Sequence, residues 1–178
     1  SPDQCDVVWT TPSANSAGSM PLGNGVIGLN VWVEGDGDLL CYIARPDALD
    51  AYNRLLKLGR LRVHFEPNPF AASMPFRQEL KLSEGAIYIT AGDLGKQVRL
   101  RLWVDANRPV VWLEGDCDAP TRLTAAMEEW RTEREITNGT EASDSWYCAG
   151  PVPIFEHPVS VVARFPDARG RYHSHRSP

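Results

Sequence analysis

Short apolar segments that alternate with polar residues run through most of the chain, and turns rich in glycine and proline separate them. Residues 26–33 show this most clearly, with one face formed by Ile27, Leu29, Val31 and Val33. Strict alternation of this kind predicts a β-strand with one buried face. The turn Gly35–Asp38 follows and a second apolar segment begins at Leu39, so the two segments are predicted to form a hairpin.

The same pattern recurs farther along the chain, in residues 60–66, 76–82, 86–90, 97–106, 110–116 and 160–165. Short strands separated by turn signals at this spacing indicate an antiparallel β-sandwich. We therefore predict an all-β fold with a single β-sandwich domain over residues 1–178. Residues 137–158 are predicted to form a long loop, and residues 166–178 a frayed C-terminal tail or the edge of a truncated domain.

Residues 121–136 fit two structures. Leu123, Met127 and Trp130 have helical spacing, and the glutamates and arginines between them are good helix formers, which favours a helix for the segment in isolation. In an all-β context, the alternative is a strand with Leu123, Ala125 and Met127 on one face.

The stretch PLGNG at Pro21–Gly25 places flexible residues directly before an apolar strand. Gly23, Asn24 and Gly25 tolerate positive φ and allow the backbone to reverse sharply. The simplest interpretation is architectural: a turn that starts a sheet. The functional interpretation adds that Asn24 presents its amide to a sugar or to an adjoining domain.

Composition narrows the range of partners. With 178 residues, 43 % of them hydrophobic, the chain is long enough for one globular domain with a sizeable core. The net charge of −5 at pH 7 argues against a nucleic acid partner, because phosphate backbones attract basic surfaces. No window approaches the ~18 consecutive apolar residues of a membrane span, so no membrane partner is expected.

The sequence predicts no metal site and no cofactor. Metal-binding, phosphate-loop and dinucleotide motifs are absent, and ligand spacing is missing around His64, His157, His173 and His175. No CxxC pair occurs among Cys5, Cys41, Cys117 and Cys148. Three disulfide pairings, and free thiols, remain open for these cysteines.

Two further features bear on carbohydrate chemistry. Glycoside hydrolysis needs a pair of carboxylates, but nothing selects a pair among the many acidic residues. Tryptophan is frequent, with six residues, and aromatic rings beside polar groups are typical of sugar-binding sites. Trp130 is the best candidate because Glu128, Glu129 and Arg131 flank it.

Residues 7–113 resemble the N-terminal domain that precedes a helical barrel in certain bacterial carbohydrate-active proteins, the domain of unknown function 5703. The stretches that carry the resemblance are VVWTTPSANSAGSMPLGNGVIGLNVWVEGDGDLLCYIARPDA and NRLLKLGRLRVHFEPNPF. LRLWVDANRPVVWLEGD and EEWRTE extend it more loosely to about residue 135. The PLGNG element is also similar to the opening of the alpha-fucosidases of glycoside hydrolase family 95.

The resemblance implies a galactose-mutarotase-like supersandwich, followed in those enzymes by a linker and an (α/α)6 barrel that holds the catalytic carboxylates. No catalytic residue is therefore expected in this chain, and a helical-barrel domain of the same parent protein is the expected partner. The positions that match family patterns at a substrate or domain interface are Asn24, Arg45, Asp47, Trp130 and Arg131. The resemblance also favours a strand for residues 121–133.

The expected function is that of a non-catalytic N-terminal sandwich of a glycoside hydrolase-like protein, secreted or periplasmic. The alternative is a free-standing carbohydrate-binding module with an oligosaccharide as partner. A small hydrolase with an unrecognised carboxylate pair is a third interpretation.

Overall fold

The computed structural model describes residues 5–49 and 55–129, without the side chains of residues 55–57, and four short backbone segments beyond them. These segments are residues 135–136, 155–156, 162–166 and 172–176. No helix within this described part of the chain is long and apolar enough to cross a membrane.

Two antiparallel five-stranded sheets form the sandwich, and two two-stranded sheets follow farther along the chain. In spatial order, the first sheet contains β1 (Val7–Trp9), β6 (Phe76–Lys81), β7 (Ala86–Ala91), β8 (Val98–Val104) and β9 (Val111–Cys117). The second sheet contains β10 (Arg122–Glu128), β5 (Leu55–Glu66), β4 (Asp38–Leu49), β3 (Gly28–Val33) and β2 (Met20–Gly23). A 3-10 turn at Ser16–Gly18 precedes β2. The predicted all-β antiparallel sandwich is confirmed.

The core consists of the alternate, inward-facing residues of both sheets. The second sheet contributes Leu29, Val31, Val33, Leu39, Val63 and Phe65, and the first sheet contributes Leu80, Ile87, Ile89, Leu100 and Leu102. The ring of Phe65 meets that of Phe70 edge-on, with centroids 5.1 Å apart. Each such side chain contributes roughly 1.5–3 kcal/mol by leaving water, so this one layer stabilises both sheets.

The predicted hairpin of residues 26–44 is present as β3 and β4, in register from Gly28 opposite Ala44 to Val33 opposite Leu39. The backbone N–H of Glu34 donates to the carbonyl of Asp38 at 2.9 Å and closes the turn. Gly37, in that turn, has a φ of +106°, which explains why glycine stands there.

A strand occupies Arg122–Glu128, so the helix that the local pattern favoured in isolation is wrong. β10 pairs with β5 along its whole length, from Arg122 opposite Glu66 to Glu128 opposite Arg60. The segment forms a strand because the ladder with β5 gives its backbone N–H and C=O groups hydrogen-bond partners. The ion-pair partners of Glu128 also lie on β5 and not one helical turn away on the same segment.

Strands also occur where the sequence predicted irregular structure. Phe155–Glu156 (β12) lies within the predicted loop of residues 137–158 and pairs with Glu135–Ile136 (β11). Tyr172–Arg176 (β14) lies within the predicted tail of residues 166–178 and pairs with Val162–Pro166 (β13). Strand pairing depends on backbone N–H and C=O groups, which every sequence carries. Segments of polar composition can therefore pair as strands without the apolar alternation from which strands are predicted.

The three described cysteines have free thiols. Cys5 and Cys117 are exposed, whereas Cys41 is buried in the core. Burial raises the pKa of the Cys41 thiol to about 12. Cys148 lies outside the described residues.

Candidate functional site

A two-stranded arm extends from one end of the second sheet. β4 and β5 are twelve residues long each, but β3 pairs with β4 only as far as Ala44, and β10 pairs with β5 only as far as Arg60. Beyond those points the arm, residues 45–49 and 55–58, pairs with no third strand of the described structure. An isolated two-stranded hairpin is marginally stable in water, so such an arm gains most by packing against another surface.

A β-bulge lies at the base of the arm. Ile43 lies opposite Gly59, but Ala44 lies opposite Lys57, so Leu58 is an extra residue on β5. A bulge of this kind bends the strand and increases its twist. A Cβ atom at Gly59 would lie 3.1 Å from the carbonyl oxygen of Glu128, so the end of β10 closely approaches this point.

A charged network covers the outer face of the second sheet beside the base of the arm. Arg62 pairs with Asp38 and donates from Nε to Glu128 Oε1 at 2.5 Å. Arg60 pairs with the other oxygen of Glu128, and His64 Nδ1 lies 2.6 Å from Asp38 Oδ1. The network therefore links β4, β5 and β10 through charge-assisted hydrogen bonds.

Glu128 is ionised in this network. Burial works against its charge, but the hydrogen bonds from Arg62 and Arg60 hold its pKa below the ordinary value. The guanidinium of Arg60 also lies over the ring of Tyr42, 6.0 Å from the centroid. These contacts fix the arginines in place.

Arg45 and Asp47 form a two-pronged ion pair on the arm. Arg45 donates from Nε to Asp47 Oδ1 at 2.8 Å and from Nη2 to Oδ2 at 2.7 Å. These hydrogen bonds raise the pKa of Arg45 and lower that of Asp47. An exposed pair of this kind contributes little to stability, and it places two opposite charges on the surface of the arm.

Asn24 lies in the turn between β2 and β3, at the same end of the sheet as the arm, because Gly28 pairs with Ala44. Its Nδ2 donates to the carbonyl oxygens of Asp105 at 2.7 Å and Arg108 at 3.0 Å. Its Oδ1 accepts from the backbone N–H groups of Val26 and Ile27, both at 2.9 Å. The amide thus joins this turn to the turn between β8 and β9, which favours the architectural interpretation of Asn24.

Four features meet at what we term the arm end of the molecule. They are the β2–β3 turn, the β8–β9 turn, the arm, and the last residue of β10, Glu128. The sequence-predicted residues Asn24, Arg45 and Asp47 all lie here. Trp130 and Arg131 lie outside the described residues.

A comparison of the sequence with models of protein families identifies related proteins. The model described as Domain of unknown function (DUF5703) matches residues 8–176. The chain belongs to the DUF5703 family. A search of the curated proteins found no relative of this chain.

The DUF5703 domain presents a second surface that reasoning from the sequence missed, on the outer face of the first sheet. Trp103 and Trp112 are stacked there, with ring centroids 6.1 Å apart and planes 16° apart. Arg101 and Tyr88 continue the row, and we term these four residues the aromatic row. The sequence did indicate that Arg101 and Trp103, two residues apart on β8, lie on the same face. Only the pairing of β8 with β9 reveals that Trp112 lies opposite Trp103.

The described carboxyl groups with a displaced pKa are not suited to act as a general acid. The carboxyl groups whose pKa is displaced are all displaced downward, namely Asp47, Asp105, Asp118 and Glu128. A glycosidase general acid needs the opposite displacement. Within the described part of the chain, no three histidine, cysteine or acidic side chains lie close enough together to hold a metal ion.

Proposed function

We propose that this DUF5703 domain is the non-catalytic N-terminal β-sandwich of a carbohydrate-active protein and that its arm end docks against a second, helical-barrel domain of the same parent protein. The arm is the observation that carries this proposal. It combines a two-stranded overhang, with which no third strand of the described structure pairs, with the exposed Arg45–Asp47 pair.

The edge of the second sheet supports the same role. Leu123 lies opposite Phe65, on the inward-facing side of the sheet, yet 55 % of its surface is exposed. Ala125, two residues farther along β10, is exposed as well. Inward-facing apolar residues that remain exposed form a strip suited to packing against another domain.

Hydrogen exchange with mass spectrometry tests the docking, by comparing the 178-residue chain with the parent protein that contains it. The backbone amides of residues 45, 47–49 and 55–58 are expected to exchange at least about tenfold more slowly in the parent. The β6–β7 turn at residues 82–85, in the other sheet, serves as the internal reference and is expected to exchange equally in both.

Charge reversal provides a matched pair of variants in the parent protein. Arg45→Glu removes the Arg45–Asp47 pair and is expected to abolish the extra protection of the arm. Arg77→Glu disrupts an i,i+2 pair of the same type on β6, where Arg77 lies 3.0 Å from Glu79, and is expected to leave the arm protected. The proposal fails if the reading frame holds no second domain or if the arm exchanges equally fast in both proteins.

A further inference from the structure

The aromatic row offers ring faces and polar edges on the outside of the first sheet. β7, β8 and β9 bring Tyr88, Arg101 and Glu114 into one register line, and Trp103 and Trp112 into another. Trp112 is the most open of the rings, with 43 % of its surface exposed. Trp103 packs against one side of this indole, and the exposed part of the indole is accessible to a ligand.

Aromatic rings hold Arg101 in position. Its guanidinium carbon lies 4.5 Å from the centroid of Trp103 and 5.7 Å from that of Tyr88. Its buried Nε has no hydrogen-bond partner among the described residues, and its Nη1 lies 3.6 Å from Glu114 Oε1, beyond a normal hydrogen bond. The terminal nitrogens of Arg101 and the carboxylate of Glu114 are therefore held in position, and both groups can still form hydrogen bonds with a ligand.

A shallow depression of about 440 Å3 lies at the Tyr88–Arg101 end of the row, lined by Tyr88, Arg99, Leu100, Arg101, Glu114, Gly115 and Asp116. Arg99 is already engaged, because it donates to Asp116 and Asp118. The charged lining consists of two arginines and two carboxylates, so the depression carries no net charge and does not select an ionic ligand.

We propose that the aromatic row binds a neutral oligosaccharide, with a pyranose ring stacked on Trp112 and its hydroxyl groups bonded to Arg101 and Glu114. The C–H face of a pyranose matches an exposed indole. Its hydroxyl groups both donate and accept, which is what an adjacent arginine and glutamate require. A site with few polar anchors beside an apolar surface is the usual construction of a small-molecule site.

Affinity electrophoresis and tryptophan fluorescence titration test this binding on the isolated chain, with soluble β-glucan, xylan, galactan and mannan as probes. Trp112→Ala is expected to weaken binding of at least one of these polysaccharides about tenfold or more, because removing a central aromatic contact usually costs that much. Trp112→Phe, which keeps a ring, is expected to retain part of the affinity.

Trp9 provides a matched control. It is 38 % exposed, close to the value for Trp112, but lies opposite Gln78 on β6, whose side chain is buried on the inner side of the first sheet. Trp9→Ala is expected to leave the affinity unchanged, and thermal unfolding checks that both variants fold. The proposal is overturned if none of the four polysaccharides binds, or if Trp112→Ala binds as tightly as the unmodified chain.

This site and the docking surface use different residues, so each can fail without the other. Arg45→Glu is expected to leave polysaccharide affinity unchanged. Trp112→Ala is expected to leave the slow exchange of the arm in the parent protein unchanged.

Discussion

Gly25 and Gly28 stand three residues apart at the start of β3, but the backbone requires only one of them to be glycine. Gly25 has a φ of +86°, whereas Gly28 lies within the strand, and a Cβ atom at either position would meet nothing within 4 Å. Gly25→Ala is therefore expected to lower the free energy of unfolding by roughly 1–2 kcal/mol through backbone strain alone.

Gly28→Ala is the control for that measurement by urea denaturation. It adds the same methyl group in open space without a positive φ, and a change within about 0.5 kcal/mol is expected. Equal losses in the two variants would show that the turn conformation is not what Gly25 supplies.

Asp105 makes the stability of the β8–β9 turn depend on pH. Arg108 Nη2 donates to its Oδ2 at 2.6 Å and the backbone of Asn107 donates to its Oδ1 at 3.0 Å, which lowers its pKa from 3.8 to about 2. The unfolded state takes up this proton first as the pH falls. The stabilisation is thus present above pH 3.8 and is lost between there and about pH 2.

Asp105→Asn is expected to flatten the fall of stability across that pH range, as followed by thermal unfolding at successive pH values. Asp36→Asn, at an exposed position in the β3–β4 turn, is the comparison and is expected to leave the profile unchanged. A profile of Asp105→Asn that coincides with that of the unmodified chain would contradict the role of this pair.

At the residue scale, the sequence indicates which positions are unusual but not what they contact. Asn24 was selected because it lies between two glycines, and that correctly located a turn. Its amide partners are the carbonyls of Asp105 and Arg108, 81 and 84 residues away, and no local pattern contains this information.

At the element scale, the charged network holds β10 to the second sheet. Arg62 bridges Asp38 on β4 and Glu128 on β10, and the Asp38 side chain is only 7 % exposed. Arg62→Ala leaves a buried carboxylate without its main partner and is expected to cost roughly 2–4 kcal/mol, less than a fully buried pair because Arg62 itself is partly exposed.

A double-mutant cycle with Asp38→Ala checks this cost by chemical denaturation. The double variant is expected to be less destabilised than the sum of the two single variants, because it leaves no orphaned charge. Arg122→Ala is the control: it removes an exposed pair between β10 and β5, in which Arg122 lies 3.9 Å from Glu66, and is expected to cost under about 0.5 kcal/mol. Additive effects of Asp38→Ala and Arg62→Ala would argue against the network.

Elements were predictable from the sequence where local pattern and long-range pairing agree. In β8, alternation and burial coincide, and in β3 they coincide except at Trp32, which is buried although it lies on the face opposite Val31 and Val33, so both strands were identified. For β10 they conflict: the intrinsic preference is helical, and the deciding partner is β5, about 60 residues earlier in the chain. The extra residue Leu58 was equally hidden, since a bulge appears only once two strands are in register.

At the scale of the whole molecule, Cys41 reports global opening. Its thiol is buried in the core and its raised pKa, about 12, keeps it protonated at neutral pH. Iodoacetamide is expected to label Cys5 and Cys117 quickly in the folded chain and Cys41 only after unfolding in urea, as measured by peptide mass mapping. Native-state labelling of Cys41 as fast as that of Cys117 would show that the core opens locally.

The isolated chain is expected to show no turnover of aryl glycosides across a panel of sugars, because none of its described carboxyl groups with a displaced pKa has the raised pKa that a general acid needs. A chromogenic assay at pH 4–8 checks this. Turnover that a single acidic-to-amide substitution abolishes would instead establish a catalytic site in this domain.

The fold class followed from the sequence, but the order of strands within each sheet did not. β1 lies beside β6, and β5 beside β10, and these pairings join segments more than 50 residues apart, which no local pattern reveals. The aromatic row depends on the same closure, since Trp103 and Trp112 face each other only after β8 and β9 have paired.

β10 also has a consequence for how the isolated chain behaves in solution. In the part of the chain that the structure describes, it is an outer strand of its sheet, and its five central residues, Leu123 to Met127, carry no charge. Free amide and carbonyl groups along such a strand are a template on which a second molecule can add its own strand. In concentrated samples, two copies of the chain should therefore pair through β10 and form dimers. Thr124→Lys should prevent this pairing, because it places a charge in the strand.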